Sequence, residues 1–268
     1  MLKDITLGQY FPGNTVAHRL DPRTKILLVV LYIVALFCAK HVVSYGLMAL
    51  TLTACIRISR VRLKTMVKGL KPVVFIVVFT AVLNLFFTPG ERNLVALGPI
   101  HISDTGLENA IFMVLRILML IMGTFLMTYT TSPISLTDGL ERLMNGLKRF
   151  RVPVHELAMM MSIALRFIPT LIEETDKIMS AQKARGADFE SGNLMEKAKA
   201  LIPILVPLFI SAFRRADELA TAMECRCYHG GEGRTKLHVL KYEARDYIAL
   251  ALGAVVLAAV LVLRKFGL

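Results

Sequence analysis

From Ile26 to Ala39 the chain runs without a single charged residue, and after Lys40 and His41 it does so again from Val42 to Ile56. Three further apolar runs follow: Pro72 to Thr88, where Pro72 suits a first helical turn, Asn109 to Thr131 (interrupted by Arg116), and Tyr247 to Leu263. No other feature constrains the fold as much. Lipid offers a buried segment no water for its backbone amides, so such segments fold as helices that bond internally. The first two runs are shorter than the ~20 residues of a full span, so flanking polar residues snorkel or the bilayer thins around them. We read those two as a helical hairpin. Hydrophobic residues make up 55% of the chain and its mean hydropathy is +0.59, a level that soluble domains rarely reach. The predicted class is an all-α membrane protein with about five transmembrane helices and long cytoplasmic-side helices between the last two spans.

Loop charge orients these spans, because Lys and Arg accumulate on the cytoplasmic side. The N-terminus is basic, and the 57–71 loop carries Arg57, Arg60, Arg62, Lys64, Lys68 and Lys71 with no acid. The 89–108 loop sets Arg92 against Glu91, Asp104 and Glu108. This alternation places the N-terminus and the 57–71 loop inside and the 89–108 loop outside. Residues 132–245 are then cytoplasmic. The C-terminus comes out external, against the tendency of Arg264 and Lys265. The resulting plan has a four-span membrane region at 1–131, a cytoplasmic segment at 132–245 and a last membrane helix at 246–268. The first 25 residues are polar and carry no signal-peptide pattern. The net charge of +12 reads as topology. No basic stripe with interleaved aromatics points to nucleic acid.

The 132–245 segment is too polar to cross a bilayer and more apolar than a loop needs to be. Pro133 to Gly146 predicts a short helix, with Ser132 as its cap and Pro133 in its first turn. Pro153 to Arg185 predicts a long one. Leu157, Met161, Ala164, Leu165, Ile168, Leu171, Ile172, Ile178 and Met179 recur along it at helical spacing, and Gly186 stops it. Leu194 to Arg226 predicts a third, ending near Gly230 and Gly231. Its middle, LIPILVPLFI, is apolar all round, and Pro203 and Pro207 are expected to bend it. These helices suit the cytoplasmic boundary of a membrane.

Motifs for catalysis are missing from the sequence: there is no HExxH, GxSxG or CxxC and no paired carboxylate within a span. GQYFPGNT, Gly8 to Thr15, has the spacing of a phosphate loop, but Asn14 stands where the lysine belongs and no strand precedes it. GGEGRT, Gly230 to Thr235, reads as a polar turn. Cys225, Cys227 and His229 alternate with Arg226 and Tyr228, but a structural zinc site wants four ligands at wider spacing. We therefore expect no catalytic, cofactor or metal site. Arg116 is the one charge inside a span, either functional or part of a structural pair. Asn84 reads as interhelical glue.

One pattern does suggest contact with a partner. Ala184-Arg185-Gly186 ends one long helix and Cys225-Arg226-Cys227 ends the next. Each sets an arginine between small residues that leave its approach to a groove unobstructed. A guanidinium there can bind carboxylates in planar, bidentate fashion. The same arginines would also interact favourably with the helix dipole without any partner.

The chain resembles the transmembrane T component of energy-coupling factor (ECF) transporters over nearly its whole length. The segments that carry the resemblance are HRLDPRTK (His18 to Lys25), ALRFIPTLIEE (Ala164 to Glu174), AQKARGADF (Ala181 to Phe189), PLFISAFRRADELATAME (Pro207 to Glu224) and CRCYHGGEGRT. The resemblance implies a non-catalytic coupling subunit in the bacterial cell membrane. Such a subunit joins two ABC-type ATPases to a small substrate-binding membrane protein, the S component, for vitamin or micronutrient uptake. It also implies that Ala184, Arg185, Gly186, Cys225, Arg226 and Cys227 dock into the ATPases, with cysteines in the second motif where the family often has other small residues. The methionines Met159, Met160, Met161 and Met179 suit an adaptable surface against the S component, although ordinary core packing would use methionine as well. Two alternatives stand beside this reading. One is the permease subunit of a conventional ABC importer, which the length of the 132–245 segment opposes. The other is a dedicated cobalt or nickel ECF system.

Overall fold

The computed structural model describes residues 10–87, 93–97, 100–189, 193–230 and 239–266. In chain order the helices are α1 (Val16–Arg19), α2 (Pro22–Cys38), α3 (Val42–Ser59), α4 (Leu63–Phe87), α5 (Asp104–Thr130), α6 (Pro133–Met144), α7 (Val154–Ala184), α8 (Leu194–Cys225) and α9 (Ala244–Phe266). A 3-10 helix at Asn145–Phe150 follows α6. A small antiparallel hairpin, β1 (Asn93–Leu97) with β2 (Ile100–Ser103), lies between α4 and α5. The all-α membrane class expected from the sequence holds, with that hairpin as its one departure among the described residues.

Five described helices are long and apolar enough to cross a membrane: α3, α4, α5, α7 and α9. The number agrees with the expectation, but its membership differs. With 17 residues, α2 reaches only about 26 Å, short of a hydrocarbon core of roughly 30 Å. By length and apolar composition alone α7, at the cytoplasmic boundary in the sequence reading, also qualifies. A correction concerns Pro72, expected in the first turn of its helix. It lies inside α4, which starts at Leu63. The Arg62 carbonyl accepts from Thr65 N and Met66 N and opens the helix well before the apolar run. The proline costs α4 one internal hydrogen bond without ending it.

The described residues divide into two compact units, one formed by Gly8–Gly139 with Leu240–Leu268, the other by Leu140–Val239. In the first, α5 packs against α2, α3 and α4, and α9 packs against α2. Leu36, Met48, Met66, Met119, Tyr129 and Val260 are fully or almost fully buried at its centre. The helices approach closely at small residues, as membrane helices do. A Cβ on Gly123 would sit 2.5 Å from the ring of Tyr32, and one on Gly253 would sit 2.7 Å from Leu28 Cδ2.

Polar contacts fasten the same unit. Asp21 caps α2 by accepting from Arg23 N (2.9 Å) and holds the Arg23 guanidinium through Nε (3.1 Å) and Nη2 (2.8 Å). Asp246, only 1% exposed, accepts from Asp21 N (2.8 Å) and from Glu243 N (2.9 Å), so one carboxylate serves the starts of both α2 and α9. Arg23 also donates to Leu240 O and lies 4.0 Å over the ring of Tyr242. Buried Lys25 donates to Thr130 O (2.8 Å), at the end of α5, and to His18 O (3.2 Å). These contacts give HRLDPRTK a structural role as the knot that gathers three helix ends.

Arg116 finds no acid among the described residues. It donates to Tyr45 Oη (3.0 Å) and to Ala39 O (3.2 Å), at the C-terminal end of α2, and lies over the ring of Phe37. A cation at a helix C-terminus satisfies end carbonyls and the helix dipole together, so its role is structural. Asn84 joins α4 to α5 by donating to Met113 Sδ (2.8 Å), as its interhelical reading required.

Two stability experiments test this packing by thermal unfolding in detergent. Tyr32 is held across Gly123 by its hydroxyl bond to Met119 O (3.2 Å), whereas Leu28 can swing away from Gly253. Gly123→Ala therefore costs about 1–3 kcal/mol and Gly253→Ala well under that. Asp246→Ala strands two amides and costs at least about 2 kcal/mol, and Asp246→Asn, which keeps an acceptor, costs less.

Candidate docking site

The unit Leu140–Val239 is built on α7 and α8. Both helices match the sequence expectation to within a residue. The sequence also located the cap of α6, where Ser132 Oγ accepts from Ser135 N (3.2 Å). Three prolines, Pro169, Pro203 and Pro207, lie inside α7 and α8, and both helices run on through them.

The pair is antiparallel. Gln182 Nε2 donates to Pro203 O (3.3 Å), and Glu174 meets both Ser211 Oγ and Arg215 Nη2, the latter at 2.9 Å. Further along, Met159 and Ile163 share a cavity with Leu219 and Met223. The segments ALRFIPTLIEE and PLFISAFRRADELATAME thus supply the two sides of one clamp. At the N-terminal side of α7, His155 Nδ1 lies 3.3 Å from Glu141 Oε1.

Because the helices run in opposite directions, their two C-terminal ends lie far apart. Cys227 and Arg226 line the cavity next to Met159, while Arg185 ends α7 itself. Measured along α7 from Met159 to Arg185, the separation is roughly 40 Å at the ordinary helical rise.

The two ends are built alike. At the first, Arg185 is the C-cap and Gly186 has φ +86°. Gly186 N donates to Lys183 O (3.0 Å) and Ala187 N to Gln182 O (3.0 Å). At the second, Cys227 has φ +54°, Cys227 N donates to Glu224 O (2.8 Å) and Tyr228 N to Met223 O (3.0 Å). Both are Schellman caps in the same register, with the arginine at the cap position and the following residue left-handed. Sequence reading identified the residues without this geometry. The stop glycine was legible, but no propensity rule places a cysteine at positive φ.

Ala184, Arg185, Gly186, Cys225, Arg226 and Cys227 are all exposed, and among the described residues neither guanidinium makes an ion pair. The cysteines are free, His229 Nδ1 turns to Cys227 O (2.7 Å), and no cluster of metal-ligating side chains occurs among the described residues. Within GGEGRT only Gly230 falls among the described residues.

Met160 and Met161 are exposed; Met159 and Met179 are half-buried, and Met159 lines the cavity. Among the described residues of this unit only Val154, Ala158 and Ile204 are buried. A larger apolar face lies on α8, where Ile202, Val206, Phe209 and Phe213 recur at helical spacing and Phe213 is 73% exposed. Sequence analysis read this stretch as apolar all round and did not single out the stripe; the i, i+4, i+7, i+11 spacing was the signal.

A family model described as cobalt transport protein, CbiQ, matches residues 13–237. A protein of Thermosediminibacter oceani named energy-coupling factor transporter transmembrane protein EcfT is 56% identical over 248 residues, covering 92% of this chain and 93% of its own. Proteins of the same name from Clostridium kluyveri and Bacillus subtilis are 54% and 48% identical over 266 and 261 residues. These cover 99% and 97% of this chain and 98% of each relative.

The left-handed residues provide a test of the tips. A Cβ on Gly186 would meet nothing within 4 Å, so Gly186→Ala carries only the backbone cost, about 1 kcal/mol, whereas Cys227→Gly relieves a similar amount. Amide exchange at residues 186–187 accelerates in the first variant, and at 227–228 it slows in the second.

Proposed function

The chain belongs to the CbiQ family and is a transmembrane component of an energy-coupling factor transporter, and from that premise we propose that it couples two ABC-type ATPases to a substrate-binding S component. The observation that carries this reading is the pair of like-built arginine tips, exposed and roughly 40 Å apart at opposite ends of α7 and α8. Two similar surfaces set far apart suit two similar partners. Each offers an arginine whose donors are free for a carboxylate or a carbonyl-lined groove, the residue type that most often anchors an interface. The caps give the tips rigid backbones, so little ordering is needed when they dock.

In this reading residues 132–245 act from the cytoplasmic side, as the basic 57–71 loop argues. The ATPases hydrolyse ATP, and this chain contributes no catalytic group. Nucleotide binding draws the ATPases together, the tips move with them, and the pair changes its crossing. The exposed faces, Met160 and Met161 on α7 and the Ile202–Phe213 stripe on α8, meet the S component and the lipid around it. The relatives' shared name supports this assignment, and a vitamin is the cargo we favour. The description of the family model as a cobalt transport protein supports a second cargo, a cobalt or nickel ion.

Affinity purification from the native membrane tests the coupling role. Wild type recovers two ABC ATPases, and Arg185→Glu/Arg226→Glu loses them while its membrane insertion and detergent stability stay unchanged. Equal recovery by both proteins moves the docking site elsewhere. Uptake of labelled vitamin against cobalt by the reconstituted complex separates the two cargoes.

A further inference from the structure

The segment Gly8 to Thr15 lacks the lysine of a phosphate loop, and the fold supplies the missing charge from elsewhere. Its residues from Phe11 onward close one side of an open cavity of roughly 790 Å³, and the turn between α3 and α4 closes the other. The wall from the segment is fixed. Phe11 N donates to Tyr129 O (3.0 Å), His18 Nε2 lies 3.0 Å from Phe11 O, and Thr15 Oγ1 lies 2.7 Å from His18 Nδ1. On the facing turn Arg60 adopts φ +55° and closes α3 through its N–H to Arg57 O (3.3 Å), while Arg62 opens α4. The lining thus carries two arginines, one histidine, one asparagine, three hydroxyls and no carboxylate. Neither arginine has an ion-pair partner among the described residues.

The remaining walls are apolar. Phe11, Val16 and Ile58 line the same cavity and are about half exposed. A site for a free anion has no use for exposed isoleucine and valine beside its arginines, whereas a phospholipid has a phosphate for the basic rim and glycerol and acyl carbons for these side chains. The cavity lies at the turn between α3 and α4, two helices long and apolar enough to span a bilayer, in the basic stretch that the charge pattern assigns to the membrane's cytoplasmic face.

We propose that this cavity is a binding site for the phosphate of an anionic phospholipid of the cytoplasmic leaflet, held by Arg60 and Arg62. The site is separate from the arginine tips, so its test and the docking test fail independently.

The purified protein is mixed with equal amounts of phosphatidylglycerol and phosphatidylcholine in detergent, and bound lipid is read by native mass spectrometry. Wild type retains phosphatidylglycerol selectively. Arg60→Gln/Arg62→Gln lowers that retention by roughly tenfold or more, from two lost cation contacts near the membrane surface. Arg60→Lys/Arg62→Lys, which keeps the loop charge, retains most of it. Lys68→Gln/Lys71→Gln removes the same charge outside the cavity and changes little. Equal losses in the two glutamine pairs, or no preference in wild type, overturn the proposal. Displacement of bound lipid by millimolar inorganic phosphate overturns the lipid assignment in favour of a free anion.

Discussion

One buried carboxylate holds the membrane unit together. Lipid tails are as apolar as leucine, so helices already in a bilayer gain little from hiding apolar surface against one another. Packing and polar contacts have to do that work. Asp246 takes amide hydrogens from the starts of α2 and α9, and Asp21 passes the connection to Arg23. Lys25, from the next turn, reaches the last carbonyl of α5, that of Thr130. Buried charges are costly alone, and here each has hydrogen-bond partners that offset part of that cost. The close approaches at Gly123 and Gly253 follow once the ends are tied, because they set how near α2 comes to α5 and α9.

Much of this was legible in the residues. The apolar runs, the loop charges and the stop at Gly186 describe segments whose structure depends on near neighbours, and α7 and α8 came out within a residue of their expected ends. Contacts between distant parts of the chain were not legible. Asp21 and Asp246 are 225 positions apart, and nothing local to either marks the pair. Pro72 misled because proline is a first-turn residue by preference, yet a helix that starts earlier can carry it at the cost of one bond. Arg116 could be flagged as unusual but not assigned, since its partners are a tyrosine and a carbonyl on other helices.

The arginine tips divide in the same way. Small-Arg-small is visible in sequence, and two copies at two helix ends suggest a shared purpose. The cap geometry adds that these copies are structurally equivalent down to their hydrogen-bond register. Glycine adopts the left-handed turn freely at one end, and at the other a cysteine bears the strain of the same conformation. Nothing in the described structure requires a thiol at that position.

The antiparallel pairing of α7 and α8 has a mechanical consequence. Where forces at the two ends of a long body have opposed components across its axis, those components form a couple: they turn it without carrying it sideways. The clamp of Glu174 with Ser211 and Arg215 lies between the two ends and is a natural pivot. In the proposed coupling role, a long arm on each side of a short pivot would convert modest pushes at the tips into rotation of the apolar faces, with leverage fixed by helix length rather than by the strength of any one contact.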